Sequence, residues 1–254
     1  MTLSRTSRAA RKIVAVVWAA GMLGVASCSA GDNAISLEET RKLGGSTKAE
    51  QARQNAEKHL VAIAHTYDKE TPLTLALVTV KDYCASGSGG ALPSGDDTYK
   101  IRCTVDVTGY YGADRDRIGD VMDGVLSAGD RQASATTPGE GIDFGHDDYR
   151  NKLVAYYRGH GPNPSGPDTT EPMQLSDGSQ TLEWDMVRTK QHQTLIEEPP
   201  ACGKPDPPVT RCSHKPESDT VAGIRGKYGM VFKMSMTPVN YYQVYKDGKT
   251  YTNW

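Results

Sequence analysis

Between Tyr99 and Val107 the chain alternates without a break. Tyr99, Ile101, Cys103, Val105 and Val107 fall on one side, and Lys100, Arg102, Thr104 and Asp106 on the other. A period of two puts every second side chain on the same face of a strand, so one face is apolar and the other wet. This is the pattern of an antiparallel sheet covered on one side only. The remaining chain has to supply partner strands for it and helices to cover its apolar face.

Partners are readable on both sides. Leu73 to Val80 is an apolar, β-rich run that ends near Cys84, and a Gly-containing loop then leads into the Tyr99 strand. Met230, Phe232, Met234 and Met236 alternate with Val231, Lys233, Ser235 and Thr237, which predicts a strand with its methionines turned into the core. Pro238 breaks that run. The arms Tyr241 to Tyr245 and Thr250 to Trp254 flank Asp247 and Gly248, an Asp-Gly hairpin signal. Tyr149 to Arg158 and Thr181 to Arg188 also read as strands.

Two helices are expected. Thr47 with Glu50 reads as a capping box, and Ala49, Ala52, Ala56, Leu60, Ile63 and Tyr67 recur at steps of three and four. Gln51, Lys58 and His65 fall on the opposite, solvent face. A second stripe, Ile118, Val121, Met122, Val125 and Leu126, ends near Gly129 and Asp130. The fold class is therefore α+β, two amphipathic helices packed on a mostly antiparallel sheet. Glu197 to Ser218 carries Pro199, Pro200, Pro205, Pro207, Pro208 and Pro216, which predicts a surface lobe without a helix or central strand.

The N-terminus carries a different signal. Arg5, Arg8, Arg11 and Lys12 precede an apolar run from Ile13 to Val25. At roughly 13 residues it falls short of the ~20 that span a bilayer core, so it reads as a cleavable signal segment. Val25, Ala26, Ser27 and Cys28 follow, and this stretch resembles the lipobox of bacterial lipoproteins, with an actinobacterial style of composition. The resemblance implies cleavage before Cys28, a diacylglycerol thioether on its sulfur, and a membrane-anchored extracytoplasmic protein. Residues 1–27 are then the signal peptide, 28–46 a flexible tether and 47–254 a single domain.

Assigning Cys28 to lipid leaves four of the five cysteines, Cys84, Cys103, Cys202 and Cys212. Four allow three connectivities; the nearest-neighbour set, Cys84 with Cys103 and Cys202 with Cys212, is favoured because each pair brackets a Gly- or Pro-rich loop. No Cys-x2-Cys pair suggests zinc, and no motif calls for a cofactor. Removing the four basic and no acidic residues of 1–27 takes the net charge from -2 to -6, which argues against nucleic acid as a partner.

The candidate sites are few. Tyr241, Tyr242, Tyr245, Tyr251 and Trp254 form a candidate aromatic binding surface for an envelope protein or a cell-wall polymer. Glu183 and Asp185, about 7 Å apart on one strand face, are the candidate acid and base of a wall-glycan hydrolase. His146, Asp147 and Asp148 lack a nameable partner, and Asp114, Asp116 and Gly119 only echo a calcium loop, since position 12 is Val125. The expectation is a non-enzymatic binding or accessory domain; a hydrolase and the solute-binding part of an importer are the alternatives.

Overall fold

The computed structural model describes residues 35–87, 98–133, 142, 144–189 and 193–253. Cys28 and Trp254 lie outside the described residues. The helices are α1 (Leu37–Gly44), α2 (Thr47–Glu70), α3 (Ile118–Ala133), α4 (Asp148–Tyr157) and α5 (Val221–Tyr228). The strands are β1 (Thr74–Ser86), β2 (Tyr99–Asp114), β3 (Gln174–Ser176), β4 (Gln180–Trp184), β5 (Thr210–Lys215), β6 (Gly229–Met236), β7 (Val239–Tyr245) and β8 (Thr250–Thr252). All eight strands join one sheet, and every pairing is antiparallel. The fold is α+β.

The alternating strand is the spine. β1 pairs with β2 along its length, while on the other edge β7 takes the first half of β2 and β6 the second. The order runs β3-β4-β6-β2-β1-β5, with β8 beyond β7. Ile101, Cys103, Val105 and Val107 are fully buried beneath the helices, joined by Leu182, Trp184, Met230, Phe232 and Met234 from neighbouring strands. The methionines face the core, as their alternation requires. On the reverse face Thr79, Lys81, Asp106, Thr108, Lys233 and Ser235 surround a basin, with a smaller apolar cluster of Leu77, Tyr110, Val231 and Ile224 under α5 at one end.

α2 closes tightly on the sheet because its buried stripe is Ala49, Ala52, Ala56, Leu60, Ala64 and Tyr67, mostly methyl groups. Its cap is Ser46, one residue before the expected Thr47; the Ser46 hydroxyl accepts from Ala49 N at 3.3 Å. Glu50, freed from capping, pairs with Arg53. The expected tether is corrected in its second half. Residues from Leu37 form α1, capped by Ser36, with Thr40 and Gly44 buried. A Cβ on Gly44 would stand 3.0 Å from Cys84 Sγ, a tight contact that the disulfide would have to yield to. Arg41 holds Asp206 through two bonds of 3.2 and 2.7 Å. The folded part starts by Ile35, ahead of the expected Thr47.

Tyr149 to Arg158 is a helix, α4, where a strand was expected. Asp147 caps it by accepting Arg150 N at 2.7 Å, and Leu153, Val154 and Tyr157 are buried at helical spacing. In a run of ten residues both periods fit, and the cap decides. The strand expected over Thr181 to Arg188 stops at Trp184, where Asp185 bends the chain into the Met186 loop. β5 occupies the proline-free stretch between Pro208 and Pro216 as an edge strand, and α5 follows with Thr220 as its cap. Both disulfides of the nearest-neighbour set are present, Cys84 directly opposite Cys103 in the sheet and Cys202 joined to Cys212 on β5. No described helix is long and apolar enough to cross a membrane.

Candidate functional site

The aromatic surface does not exist as expected. Tyr241 is 1% and Tyr242 4% exposed, because an irregularity in the β2–β7 ladder after Cys103 lets consecutive tyrosines enter the core. Tyr241 donates its hydroxyl hydrogen to Asp82 at 2.7 Å, and Tyr242 receives one from Ser46 at 3.3 Å. Tyr245 is half-buried and Tyr251 stands exposed near the chain end. Burial of Tyr241 and Tyr242 takes them away from any surface that Tyr245 and Tyr251 could form.

Nor do Glu183 and Asp185 form an acid and base. Asp185 is buried, and both its oxygens are taken: Arg225 grips it at 2.8 and 2.9 Å, while Ile196 N and Val231 N donate at 2.7 and 2.9 Å. It ties the 194–200 segment and α5 to the sheet. Glu183 pairs with Lys233 at 2.7 Å, its neighbour across the ladder. Glu171 and Glu198 serve the same structural purpose, the first accepting three backbone N–H groups of residues 187–189 and the second two at the start of α5. His146 acquires the partners the sequence could not name. Asp130 and Asp123 hold its two ring nitrogens. Burial alone would lower the imidazole pKa, yet the paired aspartates raise it. With neither nitrogen free, His146 fastens the loop to α3. Asp147 and Asp148 turn instead to α4, one as its cap and one paired with Lys152.

The site that the fold builds lies elsewhere, between α2 and the β1–β5 edge. β5 ends at Lys215, opposite Val78, because Pro216 has no N–H with which to continue the ladder. The start of β1 is therefore left without a strand on that side, and Asp68 covers Leu75 N from α2 at 2.8 Å. The result is a trough of about 700 Å³, floored by Leu75, Val78 and Val80 and walled by Val61. Its rim mixes signs: Arg53, Lys58 and Lys215 against Glu57 and Asp68. The volume lies in the range of ligand-binding clefts, roughly 300–1,000 Å³. At one end it shares Arg53, Glu57 and Val80 with a depression of about 290 Å³ beside Asp82; at the other it shares Leu75, Ala76 and Pro216 with one of about 520 Å³ beside α5. The two depressions adjoin the trough at its ends.

A charged cluster closes the Asp82 end. Arg211 donates to Asp82 at 2.9 Å and to Glu50 at 2.7 Å, and Arg53 links Glu50 at 2.8 Å with Glu57 at 2.5 Å. The outer Glu50 and the inner Asp82 respond oppositely. Arg53 pulls Glu50 down to about 2, whereas burial pushes Asp82 above the usual carboxylate range despite Tyr241 and Arg211. Periodicity placed Lys58 and His65 on a solvent face, and both do face solvent; that this face borders an open sheet edge depended on where β5 stops.

The reverse face holds a second cavity of about 480 Å³, lined by Lys81, Asp106, Glu183, Lys233 and the 194–200 segment. Burial raises the Asp106 pKa there, against the pull of Lys81 and Lys233. Among the described residues one group with metal-ligand spacing occurs, Cys202, Cys212 and His214, whose ligand atoms lie within 4.8 Å of one another. Its sulfurs are bonded to each other, so in this state they are not thiolate ligands. No family model, curated protein or solved structure matches this chain.

Proposed function

We propose that this chain is a lipoprotein of the bacterial cell envelope, cut before Cys28, acylated on that sulfur and facing the extracytoplasmic side. Its domain is a non-enzymatic accessory module that binds an apolar segment of a second envelope protein in the α2–β1 trough. One observation carries the reading: an apolar floor bounded by both charge signs. That is the anatomy of a protein interface, an apolar centre within a polar rim. A headgroup of one charge would call for a rim of the other, and a wall glycan for exposed aromatic rings and hydrogen-bonding groups. Two of the tyrosines that could have served a glycan, Tyr241 and Tyr242, are spent on the core. A catalytic reading would need free acid and base groups, and Asp185 is fully engaged.

The test uses the full lipidated chain in its native cells. Val61→Asp places a charge on the trough wall, where Val61 is only partly buried. The expected outcome is loss of the partner recovered after in-cell crosslinking, with an unchanged melting temperature. Recovery of the same partner by the variant would overturn the trough as the binding site. Cys28→Ser is expected to shift the chain from the membrane fraction to the medium; continued membrane retention would overturn the lipid anchor.

A further inference from the structure

The two disulfides sit in opposite surroundings. Cys84 and Cys103 are 4% and 0% exposed on the core side of the sheet, with Gly44 and Tyr241 packed over them. Cys202 stands exposed in the loop before β5, and Cys212 is only partly covered. Cys212 lies directly opposite Lys81 in the β1–β5 ladder, and His214, two residues along, shares its face of the strand. Directly opposed Cβ atoms are about 5 Å apart. A ring nitrogen of His214 comes within 4.8 Å of both sulfurs. Its Nε2 is buried and has no hydrogen-bond partner, a costly arrangement unless some other state of the site uses it.

We propose that Cys202–Cys212 is a thiol–disulfide exchange site whose substrate is a dithiol protein of the envelope. An incoming thiolate attacks the exposed Cys202 Sγ, forming a mixed disulfide there, and the Cys202–Cys212 bond breaks with its electron pair leaving on Cys212 Sγ. The departing thiolate lies across the ladder from Lys81, whose ammonium also acts on Asp106, and within 4.8 Å of a His214 ring nitrogen. A nearby cation or imidazole N–H favours the charged sulfur, and a better-stabilised leaving thiolate departs faster. Either of two steps completes the exchange. Cys212 attacks Cys202 Sγ, restoring the original bond and releasing the incoming thiolate, or the partner's second thiolate attacks its own sulfur in the adduct, leaving Cys202 as thiolate and the partner oxidised. In the second course two electrons pass from the dithiol to this chain, and no further reagent is needed. This inference does not depend on the trough.

The experiment treats the lipidated chain in detergent with either free cysteine or a reduced thioredoxin-type protein lacking its resolving thiol, then acid-quenches and maps adducts by mass spectrometry. The expected result is a mixed disulfide on Cys202, with Cys84–Cys103 intact. An adduct with the thioredoxin-type protein, alone or together with free cysteine, supports the proposal; an adduct with free cysteine alone overturns the dithiol-protein substrate. No adduct, or one placed first on Cys212, Cys84 or Cys103, overturns the site itself. Lys81→Met and His214→Gln are expected to slow adduct formation about tenfold each while melting temperatures stay unchanged. Unaltered rates in both variants would overturn the role given to these positioning residues.

Discussion

The two sides of the sheet are cut to different purposes. On the helix side the trough has an apolar floor, and its charges are confined to the rim and one end. On the reverse side the basin is lined by alternating Lys81, Asp106, Lys233 and Glu183 and capped by the 194–200 segment that Asp185 holds down. Both cavities come from one strand pattern, since residues one apart on β1 and β2 face opposite ways. What differs is how each is closed. The basin is walled on one side by the 194–200 segment, while the trough runs along the sheet edge where β5 ends early. The trough offers an apolar floor to a partner, whereas the basin sets Lys81 and Lys233 against Asp106 and Glu183 within its own lining.

The sharpest way to break this contrast is through the carboxylates that anchor each side. Asp185→Ala strips Arg225 and two backbone N–H groups of their acceptor and is expected to cost about 4 kcal/mol in denaturant unfolding, the largest effect here. A loss below ~1 kcal/mol would mean that Asp185 does not hold the 194–200 segment. On the trough side Arg211→Met removes the nearer cation of buried Asp82 and leaves Arg53 at 4.0 Å. The expected loss is smaller, about 2–3 kcal/mol, because a carboxyl whose pKa is already raised can take up a proton instead of remaining an unpaired charge.

The same cluster sets a pH dependence with two signs. Glu50 is held down to about 2 by Arg53, so it contributes stability that is present above its ordinary value near 4.5 and lost as pH falls from there toward 2. Asp82 is raised, so its contribution is present at low pH and lost as pH rises through its folded value. Glu50→Gln is expected to flatten the acid limb of a stability profile between pH 4.5 and 2; an unchanged limb would detach Glu50 from the cluster. The smallest effect belongs to the basin. Glu183→Gln breaks a partly exposed pair with Lys233 and is expected to cost under ~1 kcal/mol, with no change in partner recovery.

How far the sequence reaches follows from the range of the interactions involved. The spine strand, the helix stripe of α2, the methionine strand, the terminal hairpin and the nearest-neighbour disulfides rest on local periodicity or turn chemistry, and all were legible. The α4 segment fits a strand as well as a helix by its apolar spacing, and only the Asp147 cap separates the two. The site was harder. Tyr241 and Tyr242 looked like surface residues because a break in pairing register, invisible in one strand alone, turns both inward. Asp185 looked free because its partners lie 11, 40 and 46 residues away. The trough itself depends on β5 meeting β1 and then stopping at Pro216, a pairing between segments about 135 positions apart that no window of sequence contains.

The most direct test places a photo-crosslinking residue in intact cells at Val61 in the trough wall and, separately, at Thr108 in the basin, with adducts identified by mass spectrometry. The account expects one discrete envelope protein from position 61, lost when Leu75→Asp is added, and none from position 108. Adducts from position 108 alone, or adducts from position 61 that persist with Leu75→Asp, would contradict it.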